Sequence, residues 1–533
     1  MLRGLFLMHL KAASIFKEHS NFKTKLILLF CLTCLMLVHA LFWYLVSDSR
    51  AVVLVSGSLF ACFILFYILI SRGAEFSKLY LAALLCSGLI FSVLLTPFSV
   101  PDEDYHFAAS YSWSNLLMGY GYQDEDPLVM RACDAEFYQN KSVRVDRAAF
   151  ITLIDGLGQP FSEDNGLVLA TTNRTHELSS NLPQEKLPSA IGITLARLLG
   201  LSPTYLFLVG RLCNAVLFSL LFYLAFKIAP FGKNAFVCVS LLPMSLHLGA
   251  SYSYDSFVIP MGALLIALFL RAIYSDEGIS KIEIGQLLIA TVLLAPCKLI
   301  YSAIVLLAIL IPVERFRSRK VWLAFACTCL LAAVFSIGLT KLGSLMAAPQ
   351  NVALQSGSLD QRGEETGSFY SASDVIQHPV DTFTILLKTF DSYLFDYLRQ
   401  MIGCSLGWLQ SELIAPGIYA IIYFILLIIS GQADLHDRLK QPARIRLLEF
   451  LIFVVVCLSV MFVMLFSWTF NTESLISGVQ GRYFLPVLVL LLLSTRLPCL
   501  YFDKVLSVYL FVCILFINSI YLIRTFAVAI ALC

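Results

Sequence analysis

The sequence predicts an all-α polytopic membrane protein, and three observations carry that expectation. The 533 residues are 59% hydrophobic and only 14% charged, where soluble domains run to about 45–50% apolar and about 25% charged. Mean hydropathy is +0.83. The apolar residues are also gathered into long runs, and crossing a bilayer takes about 20 residues. No globular core of this length could conceal so much apolar surface.

The net charge of +2 gives no reason to expect nucleic acid, and no basic cluster is interleaved with aromatics. Most of the 15 cysteines fall inside hydrophobic runs, where cysteine behaves as a small apolar residue. Cys31 and Cys34 form a CxxC inside a run and read as packing. Cys133 and Cys404 sit in expected outer loops, and their spacing leaves open whether they pair.

Taken in order, residues 1–24 form a basic segment without a small-residue cleavage site before the first run, expected to be cytoplasmic. Three spans follow within 25–97. Residues 98–203 form a large outer loop rich in acids, aromatics and turn residues. Further runs lie at about 204–229, 234–252, 256–274, 321–342, 413–430, 447–468 and 505–524. The run at about 285–312 is too long for one span and is interrupted by APCK. Lysine and arginine in short loops set orientation, and they place both Lys281 and Glu314–Lys320 inside. The run between must enter and return, as two half-helices meeting near Pro296 with Lys298 deep and facing outward. About 11–13 transmembrane helices result. A second outer segment, 343–412, begins polar and turns amphipathic, with apolar residues at three- and four-residue spacing in DTFTILLKTFDSYLFDYLRQ, the pattern of an interfacial helix. Residues 413–533 complete the bundle.

The candidate site starts at SVPDEDYH. Pro101 suits a first helical turn, and Asp102, Glu103 and Asp104 would occupy it, where the helix dipole favours carboxylates. His106 lies four residues after Asp102 and three after Glu103, so all three could share one face. A carboxylate here could take a proton from an attacking hydroxyl, and His106 could orient it or bind an acceptor. A lysine within a broken apolar run is costly and usually faces a cavity; this selects Lys298, with Tyr301 nearly one turn on. In GVQGRYFLP, Gly478 and Gly481 let the backbone come close to a neighbour. Arg482 there offers the planar fork that matches phosphate oxygens. Arg211, within a span, reads either as a phosphate contact or as an interhelical hydrogen bond with Asn214 or a neighbour. Asp255 either ends a span or lines the site. No metal or other cofactor is expected, since one helical turn rarely supplies a complete cation site.

These motifs occur in one order: PDEDYH, LARLLGLSPTYLFLVGRLCN, LLPMSLHLGASYSYDS, APCKLIY before a basic loop, GCSLGWL and GVQGRYFLP. Over about residues 90–500 the chain resembles a bacterial family of predicted multi-pass membrane proteins of unknown function. That family is similar to the GT-C class of integral-membrane glycosyltransferases. The resemblance implies a GT-C-like bundle in the bacterial inner membrane and a sugar donor carried on polyprenyl phosphate. It further implies inverting transfer, outside, to a glycan or lipid acceptor of the cell envelope. It makes Asp102 the first choice for catalytic base, Glu103 the alternate, and Lys298 and Arg482 the holders of the donor phosphate. Asp104 stands where the family often has proline. Two rivals are a flippase or transporter of lipid-linked sugars, which predicts internal symmetry not seen here, and a polysaccharide polymerase, which predicts its largest loop late. A non-catalytic receptor or scaffold is a third.

Overall fold

The computed structural model describes residues 30–531 apart from 48, 163, 276, 348–368, 436, 438, 440, 498, 503 and 504. The N-terminal segment 1–24 and the polar stretch at 355–368 therefore lie outside the described residues. Among those described, eight helices are long and apolar enough to cross a membrane, and the chain is a polytopic helical membrane protein.

The first three are α1 (Phe30–Ser47), α2 (Arg50–Ser71) and α3 (Phe76–Leu94). Cys31 and Cys34 are exposed on α1 as free thiols, and Cys133 and Cys404 are free as well. The large loop then builds a cap from α4 (Glu103–Leu117), β1 (Leu128–Arg131), α5 (Ala132–Gln139), α6 (Arg147–Leu157), β2 (Leu167–Ala170) and α7 (Pro183–Leu198). Strands β1 and β2 pair antiparallel with Leu128 opposite Ala170, a small sheet that the sequence reading did not anticipate.

The bundle resumes with α8 (Pro203–Ile228), α9 (Lys233–Ser240), α10 (Pro243–Gly249) and α11 (Asp255–Tyr274). The run expected as one span at 234–252 is thus two short helices, because Pro243 lacks the N–H that would continue the ladder and instead opens α10 at its first position. Helix α11 is the axis of the molecule: it is buried along nearly its whole length and packs on α8. Helix α7 lies along α8, where Gly192 and Gly210 meet so closely that a Cβ on Gly192 would come within 2.8 Å of the Gly210 Cα.

The interrupted run forms α12 (Lys281–Leu294), a break at Ala295–Lys298, and a 3-10 helix at Leu299–Leu310. Rises of 1.5 and 2.0 Å per residue give arms of about 21 Å and about 24 Å. Backbone N–H of Ile279 donates to the Arg315 carbonyl at 3.1 Å, so the excursion returns to where it started. The hairpin expected near Pro296 is present, with Lys298 at its tip.

The chain ends with α13 (Arg319–Ala347), α14 (Ala372–Gln377), α15 (Pro379–Ile402), α16 (Gly417–Ser430), α17 (Ala443–Trp468), α18 (Leu485–Ser494) and α19 (Ser507–Ala531). Helix α15 is the expected amphipathic helix: Val380, Phe383, Leu387 and Phe395 are exposed, while Tyr397 and Met401 are buried. A 3-10 turn at Gly481–Phe484 opens α18, which at ten residues is short for a membrane crossing.

Candidate functional site

The site forms where the start of α4, the start of α11, the hairpin tip and the Gly481–Phe484 turn converge, with α7 behind them. The geometry begins at Asp102. The expected arrangement had Pro101 in the first turn and Asp102, Glu103 and His106 on one face. The helix instead begins at Glu103, and Asp102 caps it in the left-handed region, φ 58° and ψ 19°, without a side-chain capping bond. Aspartate tolerates that region better than most residues. The turn sends three neighbouring side chains three ways.

Asp102 faces outward into the cleft, 43% exposed. Its Oδ1 is 3.5 Å from Arg174 Nη1 and its Oδ2 is 3.9 Å from Arg482 Nη2. Glu103 turns inward and is fully buried. It accepts from Arg211 Nε at 2.8 Å and from Nη2 at 2.6 Å, a bidentate pair. The remaining guanidinium protons go to the carbonyls of Ser92, Leu95 and Thr96. Backbone N–H of Tyr252 donates to Glu103 Oε1 at 3.2 Å. This knot ties α3, α4, α8 and the turn before α11 together, and it leaves neither Glu103 as an alternate base nor Arg211 as a phosphate contact a free hydrogen-bonding edge. Asn214, the partner considered for Arg211, donates instead to the Ser251 carbonyl.

His106 takes the third direction. Lys186 Nζ lies 2.8 Å from its Nδ1, and its ring stands edge-on to Tyr254, centroids 5.2 Å apart. A protonated lysine only donates, so Nδ1 accepts and the imidazole carries its proton on Nε2. Burial, reinforced by the Lys186 charge, holds the imidazole well below its ordinary pKa, so it is neutral at pH 7. Lys186 is itself fully buried, and burial draws its pKa down to about 8 despite the adjacent Glu185. The same burial raises Glu185 to about 7. The two residues were missed in the sequence because PQEKLP reads as a polar turn. The available signal was two opposite charges opening an amphipathic helix.

Across the cleft, Arg482 is buried, and its Nε and Nη1 have no hydrogen-bond partner. Its nearest carboxylate on that side is Asp255, with Nη1 3.6 Å from Oδ2. Asp255 is fully buried, and its Oδ1 also lacks a partner. Arg482 Nε and Asp255 Oδ1 thus keep hydrogen-bonding capacity at one point, beside the Arg482–Asp255 ion pair. Lys298 Nζ sits 4.4 Å from the Tyr254 ring centroid and 4.1 Å from that of Tyr483, a two-faced cation–π cage. Tyr301 is a supporting residue: its hydroxyl donates to the Tyr483 carbonyl at 2.9 Å, fixing one wall of the cage.

The two glycines of GVQGRYFLP now have their neighbours. Gly478 has φ +79°, and a Cβ there would strike the Trp468 ring at 2.3 Å. A Cβ on Gly481 would come within 2.0 Å of the Tyr397 carbonyl oxygen. Helix α15 therefore lies directly over the Arg482 turn, and Gln400 Oε1 accepts from Gly481 N–H at 3.0 Å. A narrow cavity of about 10 Å³ between them, room for about one water, is lined by Pro101, Gln400, Gln480 and Arg482 among others. Among the described residues, no group of three or more His, Cys, Asp or Glu side chains is arranged to hold a metal ion.

A family model described as predicted membrane protein (DUF2142) matches residues 85–491, and the chain belongs to that family. No curated protein and no solved structure matches it.

Proposed function

We propose that this chain is a GT-C-like glycosyltransferase that uses a sugar carried on polyprenyl phosphate. The observation that carries the reading is the meeting of Asp102, Asp255, Arg482 and Lys298 at one point, from residues 380 positions apart in sequence. Arg482 and Lys298 supply positive charge for the donor phosphate, and the unmet Nε and Nη1 donors of Arg482 match its oxygens.

In this reading the acceptor oxygen attacks the anomeric carbon as the carbon–oxygen bond to phosphate breaks. The phosphate leaves with the electron pair, its charge balanced by Arg482 and Lys298 in a water-poor cleft. The acceptor proton passes to Asp102. Incoming phosphate competes with Asp102 for Arg482, so donor binding releases Oδ2 of the carboxylate while Arg174 still faces Oδ1. Glu103 and Arg211 hold the frame, and His106 offers Nε2–H to a hydroxyl. The site is assigned to the outer face of a bacterial inner membrane, where such donors are consumed, and the acceptor to an envelope glycan or lipid.

The test is transfer by the purified protein, in lipid nanodiscs, from a panel of polyprenyl-phosphate sugars to envelope glycan and lipid acceptors. Wild type transfers, and Asp102→Asn does not while melting at the same temperature. Equal activity in the two proteins sinks the assignment of the base. Movement of the donor across vesicle membranes with no transfer identifies a flippase instead.

A further inference from the structure

A second concavity, of about 420 Å³, lies between α5 and α6 and shares no lining residue with the cleft. Its base is apolar, formed by Pro97, Phe137, Leu153 and Pro203. Pro97 follows the end of α3, and Pro203 begins α8, so the cavity stands level with the ends of two membrane-crossing helices. Beside it, α6 exposes Ile151 and Ile154, 50% and 62% accessible, a face suited to the acyl boundary of a bilayer.

The rim differs in charge from the cleft. Lys141 lies 3.9 Å from Asp104 and 4.1 Å above the Tyr138 ring, so its charge is already compensated. Glu136 and Asn140 are exposed on the rim. Asp146 also lines the cavity, and its Oδ1 caps α6 by accepting from Ala149 N–H at 3.0 Å. Two carboxylates against one neutralised lysine repel a phosphate or a second carboxylate. They accept hydrogen bonds from hydroxyls.

We propose that this cavity binds an amphiphile with an uncharged, hydroxyl-bearing headgroup, its chain on the apolar base and its hydroxyls on Glu136 and Asn140. Two sources share that chemistry: a glycolipid resident in the membrane, and a lipid acceptor awaiting modification.

The experiment uses the full-length protein in nanodiscs containing either a photoactivatable diacylglycerol glucoside or phosphatidic acid with the same photoactivatable chain. The glucoside labels peptides covering residues 133–153 about tenfold more than phosphatidic acid does. Ala149→Trp, which sets an indole in the cavity where the lipid chain would lie, removes that labelling, and Glu136→Lys shifts the preference toward phosphatidic acid. Equal labelling by the two lipids overturns the proposal, as does labelling unchanged in a folded Ala149→Trp protein. The readout is binding, so an inactive sugar-transfer assay leaves this site standing. A gain of one sugar on the labelled glucoside identifies the acceptor, and unchanged mass identifies the resident lipid; either result upholds the cavity as a site.

Discussion

Asp102 and Glu103 are consecutive carboxylates, each facing an arginine from a distant part of the chain, yet their surroundings are opposite. The Glu103–Arg211 pair is dry, bidentate and saturated, with every guanidinium edge assigned to a named acceptor. The Asp102–Arg482 pair is 3.9 Å apart, half open, and has orphaned donors on the arginine. Satisfied charge is architecture, and the charge left with unused donors is what the proposed phosphate would engage. A left-handed turn at one residue separates the two.

The sharpest way to break this comparison is at the saturated pair. Removing one partner of a buried ion pair costs about 3–5 kcal/mol, because the other charge is left uncompensated. Arg211→Met and Glu103→Gln should each cause that loss in thermal or denaturant unfolding, with little folded protein recovered. The double variant should regain part of it, since the stranded charge is gone. A loss below about 1 kcal/mol in the single variants, the range of an exposed pair, would erase the distinction.

The open pair predicts the reverse pattern. Asp102→Asn should lower transfer by about 10²–10⁴, the usual weight of a general base, with no fall in melting temperature. Next in size is Arg482→Lys, which keeps the charge and removes the fork. Binding of polyprenyl phosphate, followed by displacement of a labelled analogue, should weaken about tenfold, equivalent to about 1.4 kcal/mol. Unaltered affinity would place the phosphate elsewhere.

The smallest expected effect concerns pH and separates the cap from both pairs. His106 and His176 are held neutral by burial, with His176 lowered to about 4. The unfolded chain binds protons at these residues from about pH 6.5 downward, while the folded one does not. Stability is therefore complete above pH 6.5 and falls as pH drops toward 4. Melting measured across that window should show the decline, and His176→Gln should flatten it. A flat wild-type profile would mean that both imidazoles protonate without cost.

The fold was largely legible because membrane insertion is a composition rule: long apolar runs, the APCK break and the charge of short loops each act locally, although the break at Pro243 was not read. The hairpin could be placed from Lys281 and Lys320 alone, since two inside ends require an even number of crossings. The candidate residues were also legible as types, for a lysine in an apolar run or an arginine after two glycines is conspicuous anywhere. Their division of labour was not. Helical spacing put Asp102, Glu103 and His106 on one face, but the chain turns left-handed at Asp102, and the arginines that meet its carboxylate, Arg174 and Arg482, come from distant parts of the chain. Nothing in PQEKLP announces that Lys186 will be buried against His106. Burial and pairing are properties of the assembled surface, and only the tertiary structure decides which of two adjacent carboxylates finds every partner and which stays half exposed.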